Sequence, residues 1–444
     1  MGFVYEMDNK KSNSVEKILN LPIKGVVIYL FSTVFLYFFG PIKWRIDNHF
    51  LLAGYLILSY LFILAGYRMY YKKNTFRMHA MNSNENAEYR YDKWFTFISI
   101  LSIVSHLVYS AYYFTGISLN VLFSFGSVYY ENLYREVHTN AITKILTYLW
   151  GINYLYLPWG IVIYKRLKLY DKIIFWVAVA MNALFWLSIG TMKGIGDIVI
   201  LSVLPYIATT LNRGKNNVSI NQNMRKRLFA IILLVVLFAV IFGVSQQSRY
   251  EFYNKTLTTY STNRFVESQV LWPFPYLTNR LISYITHGYT GLAYALKLPF
   301  EWTYFIGNSR ALTDIVERHI IHSTVISSSI YPQRLEEAFG WSNGISWPSA
   351  FTWLASDFSF IFLPLVLMLI SYFWAKCICD AFIEKNISAL ALASYLMLFF
   401  VFLPCNNQIV QSERSLWTLI LLVFLYWRSK SKIKLSFGGK ILPF

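Results

Sequence analysis

The stretch HGYTGLAYALKLPFEWTYFIGNSRAL, His287 to Leu312, lies between two strongly apolar segments, and its reading decides where the spans of this chain stop. It is rich in Tyr, Trp and Phe and carries few charges, yet Gly288, Gly291, Pro299 and Gly307 break it too often for a single spanning helix. The chain around it is 56% hydrophobic and 14% charged over 444 residues, and apolar runs of about 18 residues recur along it. This composition implies an all-α polytopic membrane protein. The net charge of +18 could point to nucleic acid, but the basic residues cluster between apolar runs, the mark of cytoplasmic loops, so no nucleic-acid partner is expected.

Apolar segments lie at about 25–42, 49–67, 94–116, 145–164, 173–192, 196–212, 228–245, 353–375, 387–405 and 415–427, so about ten transmembrane helices are expected, in a range of ten to twelve. With both termini in the cytoplasm, 26 of the 40 Lys and Arg residues fall inside, as the positive-inside rule requires. The expected organisation is a cytoplasmic N-terminus at 1–24, spans one to seven at 25–244, and a large, partly helical extracytoplasmic loop at 245–351. Spans eight to ten follow at 352–428, and a basic cytoplasmic tail at 429–444. Polar residues with Lys10, Lys11, Lys17 and Lys24 precede the first run and no small-residue cleavage site follows it, so it reads as a retained anchor. Three cysteines, Cys377, Cys379 and Cys405, support neither a disulfide framework nor a zinc site.

The opening stretch thus falls in the large loop, on or partly within the outer leaflet. Aromatic rings suit the headgroup level on their own account, but Tyr289 and Trp302, with Trp272, Tyr284 and Trp341, are also able to line a cleft for sugars. The loop cations include Arg249, Arg264, Arg280 and Arg310, and guanidinium grips phosphate through paired hydrogen bonds. Lys193, at a short outer turn, reads either as a phosphate ligand or as the partner of Asp197. His287 reads as a structural histidine or as a general base for a hydroxyl. His319 and His322 share a helical face without a third ligand, so no metal is expected. There is no Walker motif, nor a D-x-D pair for a metal-bound nucleotide-sugar.

The ten-span layout with one late outer loop, GTMKGIGD around Lys193, SQQSRYEF around Arg249, residues 284–312, and WPSAFTWLASDFSFIFLP through Asp357 resemble the Wzy-type polymerases of bacterial O-antigen and capsular polysaccharide repeat units. The resemblance implies a GT-C-like, metal-independent glycosyltransferase of the bacterial inner membrane that needs no cofactor. Its donor would be a glycan on undecaprenyl pyrophosphate and its acceptor a second lipid-linked repeat unit, with a flippase and a chain-length regulator as partners. Arg249, Arg264, Arg280 and Arg310, with Lys193, would then hold the pyrophosphate, and Arg414 in QSERS would complete that site. His287 would be the base, with Glu301 and Asp357 in reserve. Related families often carry arginine where Lys193 stands, which keeps the charge and changes its geometry. An O-antigen ligase would use the same donor for a single transfer, whereas a flippase would carry charges inside several spans and lack a loop of this size.

Overall fold

A computed structural model describes residues 18–82, 88–90, 92–113, 140–211, 261–263, 275–341 and 346–431, with a few isolated positions and a short terminal pairing beyond them. The fold is almost wholly helical. Among the described residues five helices are long and apolar enough to cross a membrane: Leu21–Phe39, His49–Lys73, Trp94–Ala111, Leu169–Ser188 and Ala350–Ile383. Their outward surfaces are apolar, with Ile28, Phe35, Leu61, Ile361 and Leu369 all exposed, while Ser59, Ser99, Ser102 and Asn153 are buried between helices. That inversion of the soluble pattern is what a hydrocarbon surround selects, because small polar side chains allow close packing between helices. Ser99 donates to the Phe95 carbonyl at 2.9 Å and Ser105 to Asn153 Oδ1 at 3.1 Å.

In chain order the bundle is α1 (Leu21–Phe39), α2 (His49–Asn82), α3 (Trp94–Tyr113), α4 (Ala141–Tyr148), α5 (Ile152–Ile163), α6 (Leu169–Ser188) and α7 (Lys193–Leu211). The segment expected as a loop contributes α8 (Pro275–Thr286), α9 (Gly288–Ala295), α10 (Arg310–Val316), α11 (Val325–Ser329) and α12 (Tyr331–Phe339). The bundle closes with α13 (Ala350–Ile383), α14 (Ile387–Phe402) and α15 (Glu413–Lys430). Nine of the ten apolar segments coincide with these helices, and the seventh, 228–245, lies outside the described residues apart from two isolated positions. Two boundaries differ from expectation. Segment 145–164 is two helices, α4 with an Asn140–Thr143 capping box and α5 after a turn at Leu149–Gly151. The eighth segment is a 34-residue helix that starts at Ala350 and is kinked where Ser359 takes a φ of 54°.

The connections between the long helices collect at two ends. At one end Tyr89 donates to the Ala381 carbonyl (2.7 Å), Trp159 Nε1 to that of Arg90 (3.0 Å), and Tyr426 to Asp380 Oδ2 (2.6 Å). Among the described residues, the basic ones of the 68–73, 90–93, 165–172, 385 and 428–430 regions gather here. At the other end the strand Ile42–Trp44 pairs antiparallel with Ser261–Asn263, so residues 261–263 of the long loop lie against the α1–α2 reversal.

The first part of the opening stretch, Gly288–Ala295, is not the surface feature its composition suggests. Helix α9 is plugged into the bundle, and Tyr289 is 0% exposed. Its hydroxyl lies 2.7 Å from Thr33 Oγ1 on α1 and 2.6 Å from Tyr60 OH on α2, and Tyr37 OH meets Thr290 Oγ1 at 3.0 Å. Gly288 permits this depth, since a Cβ there would fall 2.2 Å from the Pro404 carbonyl oxygen. Tyr289 therefore serves packing, a correction to its expected place in a substrate cleft: small neighbours let the backbone in, and hydroxyls on α1 and α2 satisfy the ring's polar tip.

Candidate functional site

A cavity of about 290 Å³ opens at the end opposite the basic clusters, and Lys193, Arg310 and Arg414 all line it. Three separate reversals of the chain bring these cations together. Arg414 sits in the first turn of α15, which Ser412 and Ser415 cap reciprocally. Its guanidinium carbon lies 4.9 Å from the ring centre of Tyr109, 5.0 Å from Trp150, 5.3 Å from Trp186 and 5.8 Å from Phe185. Four π faces at these distances hold a cation without neutralising it. Nη1 is buried and has no hydrogen-bond partner among the described residues, and no carboxylate pairs with this arginine there. A desolvated donor with nothing to donate to is a standing cost, relieved by an anion.

Arg310 is the first residue of α10 and is exposed. Ser309 caps the helix by accepting from Leu312 N–H at 3.1 Å and donates to the Val410 carbonyl at 2.5 Å, while Asn407 Nδ2 donates to the Asn308 carbonyl at 2.9 Å. These bonds strap Arg310 to the chain leading into Arg414. Lys193 opens α7 and donates to Asp197 Oδ2 at 2.7 Å, with its ammonium 4.9 Å from the Trp186 ring. Gly194 makes room for that indole, because a Cβ would lie 1.7 Å from Trp186 Cδ1. Tyr154, also on the cavity wall, donates to the same Asp197 oxygen at 3.0 Å. Lys193 thus takes both roles its position allows, paired with Asp197 and facing the cavity.

The other expected residues fall elsewhere. His287 donates from Nδ1 to the Ser283 carbonyl at 2.8 Å, which leaves Nε2 as the acceptor nitrogen, and burial holds the imidazole below its ordinary pKa. It stands behind the cavity wall, its ring centre 6.3 Å from that of the lining residue Tyr284. Asp357 is not a free base: Thr303 Oγ1 lies 2.5 Å from Oδ1, Asn308 N–H donates to Oδ2 at 2.8 Å and Asn308 Nδ2 at 2.6 Å. Its carboxylate clasps the turn that precedes Arg310. Glu301 is on the surface, paired with Arg334 at 3.0 Å. Trp302 lies against Tyr304 with ring centres 4.8 Å apart and planes inclined by 41°, half-exposed and outside the cavity. Arg249 and Arg264 lie outside the described residues, as does the side chain of Arg280, whose backbone is in α8.

Sequence reading missed the partners that make Arg414 unusual. Tyr109 and Trp186 lie near the ends of α3 and α6 and Trp150 in the turn between α4 and α5, and aromatic residues near the same end of adjacent apolar segments were the available signal. Among the described residues no three His, Cys, Asp or Glu side chains gather to hold a metal. No protein-family model, curated protein or solved structure matches the chain.

Proposed function

We propose that the chain is a polymerase that joins undecaprenyl-pyrophosphate-linked oligosaccharide repeat units at the outer face of the bacterial inner membrane, a metal-independent glycosyltransferase on a GT-C-like frame. The observation that carries this reading is Arg414, held by four rings with a buried, unpartnered donor beside Arg310 and Lys193 in one cavity. Such a site suits a diphosphate at the end of an apolar chain: guanidinium offers bidentate contacts to phosphate oxygens, and the aromatic walls exclude the water that would weaken them. In the reaction, an acceptor hydroxyl attacks the anomeric carbon of the donor glycan. The bond from that carbon to the lipid diphosphate breaks, and the developing anion is countered by Arg414 and Arg310.

The test is purified protein in liposomes supplied with undecaprenyl-pyrophosphate oligosaccharide alone, without nucleotide sugars, and gel analysis of product length. A ladder is the expected result. No ladder from the oligosaccharide alone, with a single transfer once a lipid A core acceptor is added, would indicate a ligase, and translocation without any new glycosidic bond would reject the enzymatic reading.

A further inference from the structure

Asp197 is the most deeply placed ionised group beside the cavity. It is 3% exposed, its Oδ2 accepts from both Lys193 Nζ and Tyr154 OH, and its Oδ1 is buried with no partner among the described residues. A purely structural i,i+4 ion pair satisfies its carboxylate or leaves it in water, and this one does neither. Two of the three groups, Lys193 and Tyr154, face the cavity, and Tyr154 is fixed there edge-on to Tyr395 with ring centres 5.0 Å apart. Tyr395 in turn donates to the Ser415 carbonyl at 2.9 Å, one residue beyond Arg414.

From this arrangement we propose that Tyr154 and Asp197 are the proton-accepting pair for the acceptor hydroxyl, an inference that rests on the transfer reaction above. The acceptor O–H gives its proton to Tyr154 Oη as the phenol passes its own proton to Asp197, so the phenol ends unchanged and the carboxylate becomes a carboxylic acid. The acceptor oxygen forms the new bond to the anomeric carbon, and the electron pair of the broken bond leaves on the lipid diphosphate. Protonation of Asp197 also removes the charge that held Lys193. The ammonium is thereby released to the leaving diphosphate at the moment its negative charge develops, so one proton movement both activates the nucleophile and frees a cation for the leaving group.

Asp197→Asn tests the pair in the liposome assay. Chain extension should fall by about 10²–10⁴-fold, the usual scale for loss of a general base. Binding of inorganic pyrophosphate, followed through the fluorescence of the cavity tryptophans, should be retained or tightened because Lys193 is no longer neutralised. Tyr154→Phe keeps the ring packing and the Lys193–Asp197 pair and should also slow extension without weakening pyrophosphate binding, so it remains informative if the Asn variant does not accumulate. Extension by Asp197→Asn or Tyr154→Phe at the unaltered rate overturns the pair and leaves the polymerase reading standing. Absence of any ladder from the unaltered chain removes both.

Discussion

The two ends of the bundle treat positive charge in opposite ways. At the basic end cations are numerous and several are mated: Lys430 lies 2.9 Å from Asp380 and also pairs with Glu384, and Arg166 lies 2.6 Å from Glu88 and donates to the Tyr89 carbonyl. In the cavity wall they are few, and two of the three, Arg310 and Arg414, have no carboxylate among the described residues. Number suits orientation in a membrane, where charge is summed over a loop and partners are tolerated. Isolation suits binding, where a cation already neutralised would have to break one pair to make another.

That contrast can be broken in several places. The largest effect is all-or-none: a reporter active only outside the cytoplasm, fused near Asn263, should give signal, because strand 261–263 belongs to the cavity end. Silence there would place the basic end outside and reverse the orientation. Arg414→Ala should lower chain extension by about 10²–10³-fold, the scale for loss of one preorganised charge stabiliser, with membrane protein level unchanged; Arg414→Lys should recover part of it, since the ring cage accepts an ammonium but bidentate contact is lost. Tyr289→Phe should cost about 1–2 kcal/mol in detergent unfolding, from the hydroxyls of Thr33 and Tyr60 left without their shared partner, with little change in turnover per folded molecule. Loss of turnover with unchanged stability would return Tyr289 to the substrate. Smallest of all, Glu88→Gln at the basic end should change stability by less than about 1 kcal/mol and leave extension unaltered, because both partners of its pair are exposed.

The apolar helices were legible because each is a local property, an apolar run bounded by charge or by a turn residue. Pro22 at the start of α1 and the Asn386 cap of α14 set their boundaries within a few residues of sequence. The break at Leu149–Gly151 was not legible, because apolar residues continue through it. Within the site, the three lining cations were readable from charge, Lys193 and Arg414 at the ends of apolar segments and Arg310 in the long loop. Their difference was not, since Arg414 is distinguished by rings from residues 109, 150 and 186, brought beside it only by the fold. Asp357 shows the same limit from the other side. An acid at the head of a helix looks available in sequence, and only Thr303 and Asn308, some fifty residues earlier, reveal that its oxygens are taken.

The burial of α9 has a consequence for how the chain is made. Gly288 lies against the Pro404 carbonyl, Ser349 N–H reaches the Gly288 carbonyl at 3.3 Å, and Ala350 N–H donates to the Leu403 carbonyl at 3.1 Å. The same short helix meets α1 through Tyr289 and Thr290. Its seat is therefore incomplete until synthesis has passed residue 405, so α1 and α2 enter the bilayer long before the element that fills the space between them exists. The helix acts as a keystone whose seat is closed by the chain around residue 404. A fragment spanning only the long loop would carry this apolar helix without its seat, and truncation before residue 403 would leave the helix without the backbone that closes against Gly288.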